Sequence, residues 1–139
     1  MATNFTKSYR ANVGINHTPA YQVSGRPFAT ASIDAKHAVK VDFPFVTRWV
    51  QVTNTSVNDV RVGFSEAGVS GSNYFTLQCS GSVRGNVSTE RLELKITQLW
   101  LYSPAKTTSI DIVAGLTTIP VSRASSSFGP SFSGSTGVG

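Results

Sequence analysis

Apolar and polar residues alternate with a period of two through the middle of the chain, from about residue 28 to residue 116. The clearest case is residues 91–97, where Leu92, Leu94 and Ile96 alternate with charged or hydroxyl-bearing neighbours. Because successive side chains of a β-strand point to opposite faces, this pattern predicts strands with one buried face. No stretch has the spacing of a long amphipathic helix, so helix is predicted for a turn or two at most.

Turn-forming residues separate the alternating stretches. Polar or glycine-rich turns are predicted at residues 54–59, 68–73 and 80–88, and strands at 28–33, 39–43, 46–53, 60–64, 74–77, 91–97 and 110–114, with shorter ones at 21–23 and 119–121. Regular spacing of this kind is typical of sandwiches and jelly rolls. We predict an all-β, single-domain antiparallel β-sandwich of jelly-roll type, with about eight or nine strands.

The two ends of the chain have a different composition. Residues 1–20 lack periodicity, and residues 122–139 are rich in Ser and Gly, with few apolar residues to offset the entropy lost on ordering. We predict a flexible N-terminal arm at 1–20, a sandwich domain at 21–121 and a flexible tail at 122–139. Phe128 and Phe132 are candidate interface residues, because a simple spacer would not need them.

Three further aromatic residues are candidates for an interface. If the valines at 46, 50 and 52 face the core, Trp49 points outward on a Thr-rich face, where a Trp is a typical interface anchor. Residues 99–102 are apolar on both faces, so Trp100 and Tyr102 need a cover or a partner. A cover from the same chain and an interface remain alternatives, with a saccharide platform as a third for Trp100 and Tyr102.

The residues needed for catalysis are sparse. The chain has two His residues, too few for a cupin-like metal site, and His37 is assigned to a turn or edge. The GFSEAG sequence around Ser65 lacks the second glycine of a nucleophile elbow, and Cys79 is interpreted as a small buried apolar residue. Glu90 and Glu93 fall on opposite strand faces. We therefore predict no enzyme activity, no cofactor and no metal.

The charge pattern and the single cysteine limit the partners and the compartment. The net charge is +5, but the twelve Lys and Arg residues are spread along the chain without a basic run, which disfavours nucleic acid as a partner. The lone cysteine excludes an intrachain disulfide and is typical of a reducing compartment. Neither a signal peptide nor a membrane-spanning run is recognised, so we predict a soluble protein made in a cytoplasm and no membrane partner.

Residues 43–56 (FPFVTRWVQVTNTS), 60–69 (VRVGFSEAGV) and 116–120 (LTTIP) resemble the small auxiliary capsid proteins of large double-stranded DNA viruses and tailed phages. The resemblance covers residues 43–120 and rests on length, Thr/Asn-rich strands and a Gly/Ser tail. It implies a jelly-roll minor capsid or decoration protein that packs against a capsid lattice or its own copies. It carries over no functional residue.

The sequence-based prediction is a non-enzymatic viral structural protein that acts through protein–protein assembly. Its expected partners are other virion proteins and its own copies in a homo-oligomer, and its expected location is the virion, assembled in the host cytoplasm. Three alternatives are kept: a carbohydrate- or receptor-binding sandwich, a single-stranded nucleic-acid-binding β-barrel, and an enzyme whose residues come from distant parts of the chain.

Overall fold

The computed structural model describes residues 26–78, 87–126, 129–130 and 134–139. The elements within these residues follow in chain order: β1 (Arg26–Ile33), β2 (Val39–Asp42), β3 (Phe45–Asn54), β4 (Val60–Gly63), α1 (Glu66–Ser70), β5 (Tyr74–Leu77), β6 (Val87–Ser88), β7 (Gln98–Tyr102), β8 (Ile110–Pro120), a 3₁₀ turn (Val121–Ala124), β9 (Ser125–Ser126) and β10 (Gly129–Pro130). The predicted strand at residues 21–23 lies outside the described residues, and the proposed domain limits stay a prediction.

Two antiparallel sheets of four strands form the sandwich. The first sheet has the order β1-β8-β3-β6 and the second the order β2-β7-β4-β5, while β9 and β10 pair with each other. Each strand of the first half is therefore bonded to its counterpart in the second half: β1 to β8, β2 to β7, β3 to β6 and β4 to β5. The predicted all-β antiparallel sandwich is confirmed.

The core lies between the sheets and follows the predicted alternation. Val50 and Val52 of β3 are fully buried, as are Leu99 and Leu101 of β7 on the facing sheet. These side chains belong to one apolar cluster that the inner faces of both sheets share. At about 25 cal/mol per Å² of apolar surface removed from water, such burial is the main force that holds the two layers together.

Strand β3 is irregular near its start. Its register with β8 shifts on both sides of Thr47, which is fully buried although its position in the alternation predicts an outward side chain. The Thr47 hydroxyl donates to the carbonyl of Leu94 and accepts a bond from the backbone N–H of Ile96 at 3.1 Å. A buried hydroxyl needs such partners, so these two bonds account for the inward position of Thr47.

The strand predicted at residues 91–97 agrees with the structure only in part. Its alternation is correct, because Arg91, Glu93 and Lys95 are exposed while Ile96 is buried. The strand itself is wrong, because the segment forms a single β-bridge, between Leu92 and Val50. The segment runs from β6 in the first sheet to β7 in the second, and a chain that changes sheets cannot keep a regular ladder with either one.

A short helix replaces part of the loop predicted at residues 68–73. Ser65 is the N-cap of α1, because its side-chain oxygen accepts a bond from the backbone N–H of Gly68 at 2.9 Å. Glu66 lies in the first turn, where a carboxylate is favourable. The helix is only five residues long, in agreement with the predicted limit of a turn or two.

Candidate assembly surface

The four sheet edges differ in length. Strands β6, β2 and β5 have two, four and four residues, whereas β1 has eight. Natural proteins blunt sheet edges with short strands or with charged side chains. Strand β1 has the sequence RPFATASI and carries charge only at Arg26, so it is the one edge strand that is both long and nearly uncharged.

The backbone groups of β1 that face outward follow from the bonds of the first sheet. Val50 exchanges two backbone bonds with Leu92, at 2.9 and 2.8 Å, so its backbone points away from β8. The N–H and C=O groups of successive residues in an antiparallel strand point to opposite sides. The backbone groups of Gln51 therefore point toward its β8 partner, Val113. The backbone groups of the next residue of β8, Ala114, then point toward β1.

The same alternation continues into β1. The backbone groups of Phe28, the partner of Ala114, point toward β8. The backbone groups of Pro27, Ala29 and Ala31 therefore point away from the sheet. We call this side of residues 27–31 the open edge, since β1 pairs with β8 alone among the described residues. A proline is tolerated there because its missing N–H faces outward.

The end of β1 limits the length of the open edge. The register with β8 shifts between Thr30 and Ile33, and Ser32 has a φ of 58°. The backbone N–H of Ser32 donates to the Asp111 carboxylate at 3.0 Å. This bond holds the turned backbone in place, so the straight part of the edge stops at Ala31.

Trp49 lies on the outer face of the first sheet, in register with Gly115 of β8. A Cβ atom at position 115 would lie 2.3 Å from the indole Nε1, so the ring rests directly on the glycine backbone. The guanidinium carbon of Arg91 is 6.0 Å from the ring centroid. Trp49 is half-buried as a result, and both a cover from the same chain and a contact surface for a partner stay compatible with it.

Trp100 lies on the outer face of the second sheet, next to α1. Gly63 is its partner in β4, and Val69 of α1 packs over Gly63, with its Cγ1 at 2.6 Å from where a Cβ would stand. Within the described part of the chain, the indole Nε1 of Trp100 is buried and has no hydrogen-bond partner. With Leu99 and Leu101 in the core, the inner face of β7 is buried, and its outer face is covered only in part, since Trp100 and Tyr102 are half-buried.

Arg61 occupies the centre of the outer face of the second sheet. No site around Arg61 was predicted from the sequence. It is in register with Tyr102 of β7 and Thr76 of β5. Its guanidinium carbon lies 4.6 Å from the ring centroid of Tyr74 and 5.7 Å from that of Tyr102. Its Nη1 donates to the carbonyl of Val69 at 3.1 Å. A cation over two aromatic rings with a bonded tip is held in one orientation.

The structure brings none of the candidate catalytic residues together in the part it describes. His37 is exposed in the bend before β2, as predicted, and Glu90 and Glu93 are both exposed. The Ser65 hydroxyl is the N-cap of α1 and donates to the oxygens of Val138 and Gly139 at 2.8 and 2.9 Å. Among the described residues, no group of His, Cys, Asp or Glu side chains could hold a metal ion, and no helix is long and apolar enough to cross a membrane.

Several predicted residues lie outside the described part of the chain. They are His17, Cys79, Phe128 and Phe132, so the interface role of the two phenylalanines stays a prediction. The tail was treated as one unit at residues 122–139. Its last six residues, 134–139, are described, and they reach the sandwich at Ser65 through the two bonds given above.

The open edge was missed in the sequence, although two signals were present. Residues 27–33 contain no charged residue, and Pro27 stands at the second position of the strand. Proline near the start of a strand is typical of an edge. The pattern alone did not show which side of β1 would stay unpaired within the described residues, because that depends on β8, which is far away in the chain.

Comparisons with known proteins identify no family for this chain. No family model and no curated protein matches the chain. One similar chain comes from the structure described as "Bacillus endospore appendages form a novel family of disulfide-linked pili". It aligns with 76% of this chain and 99% of its own at 15% identity and a TM-score of 0.35. A similarity at this level supports no statement about function.

Proposed function

We propose that this chain is a non-enzymatic structural protein of jelly-roll type that assembles with its own copies through the open edge of β1. The observation that carries the proposal is the open edge itself. Unpaired backbone donors and acceptors along an uncharged edge are a template for a strand of another chain. Because the other three edge strands of the described residues have at most four residues, β1 offers the longest edge for pairing.

A second copy fits the open edge in one antiparallel register. With Ala29 opposite Ala29 of the second copy, the two alanines exchange two backbone bonds. The N–H of Ala31 then meets the carbonyl of Pro27 on each side, whereas the carbonyl of Ala31 gains no bond there because Pro27 has no N–H. Arg26 falls opposite Ser32, so like charges do not face each other across the pair. The result is one sheet of eight strands shared by two copies, with a two-fold axis at Ala29.

The strand pairing supports the jelly-roll part of the proposal. An eight-strand jelly roll contains two Greek keys in two facing sheets. The pairs β1–β8, β2–β7, β3–β6 and β4–β5 are those of a single antiparallel ribbon wound around the core, with its turn at α1. Viral capsid domains are among the proteins that use this architecture, together with lectins and cupins.

We extend the proposal to a role in a virion, by analogy with other proteins of this fold. Under it, the protein is a minor capsid or decoration component, assembled in the host cytoplasm and in contact with other virion proteins. The resemblance of residues 43–120 to auxiliary capsid proteins supports this setting. Copies joined at β1 would present Trp49 and the outer faces of both sheets to the capsid lattice.

The test is self-association of the Ala29→Lys variant. Two added ammonium groups would face each other at the two-fold axis, which should weaken association by at least about tenfold. Ala29 is exposed and directs its backbone away from β8, so the melting temperature of the monomer should stay the same. Sedimentation velocity over a range of protein concentrations measures the association.

Thr118→Lys is the matched control, because Thr118 is also exposed, also on the first sheet, and away from the open edge. It adds the same charge and should leave association unchanged. Equal association of Ala29→Lys and the unmodified chain would refute the edge pairing. Loss of association in both variants would also refute it, because net charge and not the edge would then be the cause.

A further inference from the structure

A groove of about 400 Å³ lies on the outer face of the second sheet, whereas β1 belongs to the first sheet. Its wall is formed by β4, β5 and the loop that follows β7. The residues that give it chemical character are polar or aromatic: Asp59, Arg61, Tyr74, Thr76, Gln78 and Lys106. This size is in the range of small-molecule sites.

Arg61 is the fixed element of the groove. The Val69 carbonyl accepts from Nη1 at 3.1 Å, and the ring of Tyr74 lies 4.6 Å below the guanidinium carbon. Val69 is fully buried, so its carbonyl is a rigid acceptor. A guanidinium has five N–H donors in a planar fork, and a single bond to a carbonyl leaves a pair available for a carboxylate. The side chain is therefore oriented before any ligand arrives.

The charge and the remaining donors define the ligand further. Two cations, Arg61 and Lys106, and one carboxylate, Asp59, give the lining a formal charge of +1. Thr76 and Gln78 are exposed and supply a hydroxyl and an amide, which are the groups that hydrogen-bond sugar hydroxyls. A short groove with such a polar lining suits a compact polar ring better than an extended peptide.

We infer that this groove binds an acidic saccharide, with the sugar carboxylate on the guanidinium of Arg61. Lys106 adds charge attraction at the rim, and Thr76 and Gln78 bond the ring hydroxyls. This site is distinct from the platform predicted at Trp49, Trp100 or Tyr102, because Arg61 covers one face of Tyr74 and ring stacking is not the main contact. It does not depend on the open edge, which belongs to the other sheet.

The test is a titration of the full chain with D-glucuronate, followed by ¹H–¹⁵N and side-chain NMR signals. D-glucose is the matched probe without the carboxylate, and acetate is the carboxylate without the ring. Glucuronate should shift the signals of Arg61, Thr76, Gln78 and Lys106 with a Kd of about 1–10 mM, while glucose and acetate bind at least about tenfold more weakly. Shifts of equal size with acetate would refute the saccharide, and no shift with glucuronate would refute the site.

Variants separate the fork geometry from the charge. Arg61→Lys keeps the charge but loses the planar fork, and it should weaken glucuronate binding by about tenfold. Arg91→Lys is the matched control, since Arg91 also lies over an aromatic ring but on the first sheet, and it should leave binding unchanged. Thr76→Val, at an exposed position, should weaken binding by about threefold without affecting folding. Equal binding by Arg61→Lys, or an equal loss in Arg91→Lys, would overturn the assignment.

Discussion

The two sheets of the sandwich are built differently. The first sheet has three long strands, of eight, ten and eleven residues, and its outer face carries exposed side chains such as Val113 at 39% exposure. The second sheet has four strands of four or five residues, and α1 packs on its outer face. Long strands leave a long edge for other chains, whereas short strands gain stability from cover on both faces. The first sheet thus offers the longer edge to another chain, and the second sheet holds the Arg61 side chain in place.

The largest stability change is expected for a side chain in the core that the two sheets share. Leu101→Ala in β7 removes a fully buried side chain and should lower the free energy of unfolding by about 3 kcal/mol. Val113→Ala on the outer face of β8 should cost less than about 0.5 kcal/mol. Urea unfolding measures both. Similar losses for the two variants would contradict the contrast between the shared core and the exposed outer face of the first sheet.

The irregular start of the first sheet depends on one buried hydroxyl. Thr47→Val removes the side-chain bonds to Leu94 and Ile96 and leaves a buried N–H unpaired, at a cost of about 1–3 kcal/mol. Thr53→Val, on the same strand, loses a more exposed bond to Ser88 and should cost less than about 0.5 kcal/mol. Urea unfolding separates the two. If Thr47→Val is neutral, side-chain bonding does not hold this part of the sheet.

Two glycines test how each outer face is covered. Gly63→Ala would push a methyl group against Val69 and the Asn73 carbonyl, and α1 must move, so we expect a loss of about 1–3 kcal/mol. Gly115→Ala meets the indole of Trp49, which can swing outward, so we expect a smaller loss. Unfolding curves and the Trp49 indole NMR signal measure the two effects. A larger loss for Gly115→Ala would show that Trp49 is fixed in place.

The smallest effects concern the two arginines that lie over aromatic rings. Arg61→Ala removes contacts with Tyr74 and Tyr102 and the bond to Val69, and should cost about 1 kcal/mol. Arg91→Ala removes an exposed ion pair with Glu93, 3.1 Å long, and a contact 6.0 Å from the Trp49 ring, and should cost at most about 0.5 kcal/mol. Thermal melts in low and high salt compare them. Equal losses would mean that Arg61 is not specially held.

Much of the fold was predictable from local patterns. The turn at residues 54–59 is formed as expected, because the Asn54 side chain accepts from Ser56 and donates to Asn58. The strand β8 was predicted in two pieces and is continuous, because Gly115, Leu116 and Thr117 are all buried and the alternation is broken there. The Thr117 hydroxyl donates to the carbonyl of Val46, a contact that no local pattern reveals.

The candidate sites were less predictable. Trp49 was predicted to point outward, and Trp100 and Tyr102 were predicted to need a cover or a partner; all three are half-buried on outer faces. The groove at Arg61 was not recognised, because its members come from β4, β5 and the loop after β7 and are brought together only by the pairing of those strands. The open edge was missed for the same reason.

The sequence by itself determined the class of fold and the inner and outer faces of most strands, because both follow from a two-residue period that each strand contains within itself. Only the tertiary structure decided which strands are neighbours, which edge stays unpaired within the described residues and which distant side chains meet at Arg61. Those features depend on pairing between segments far apart in the chain, and that pairing is selected by the packing of the whole core.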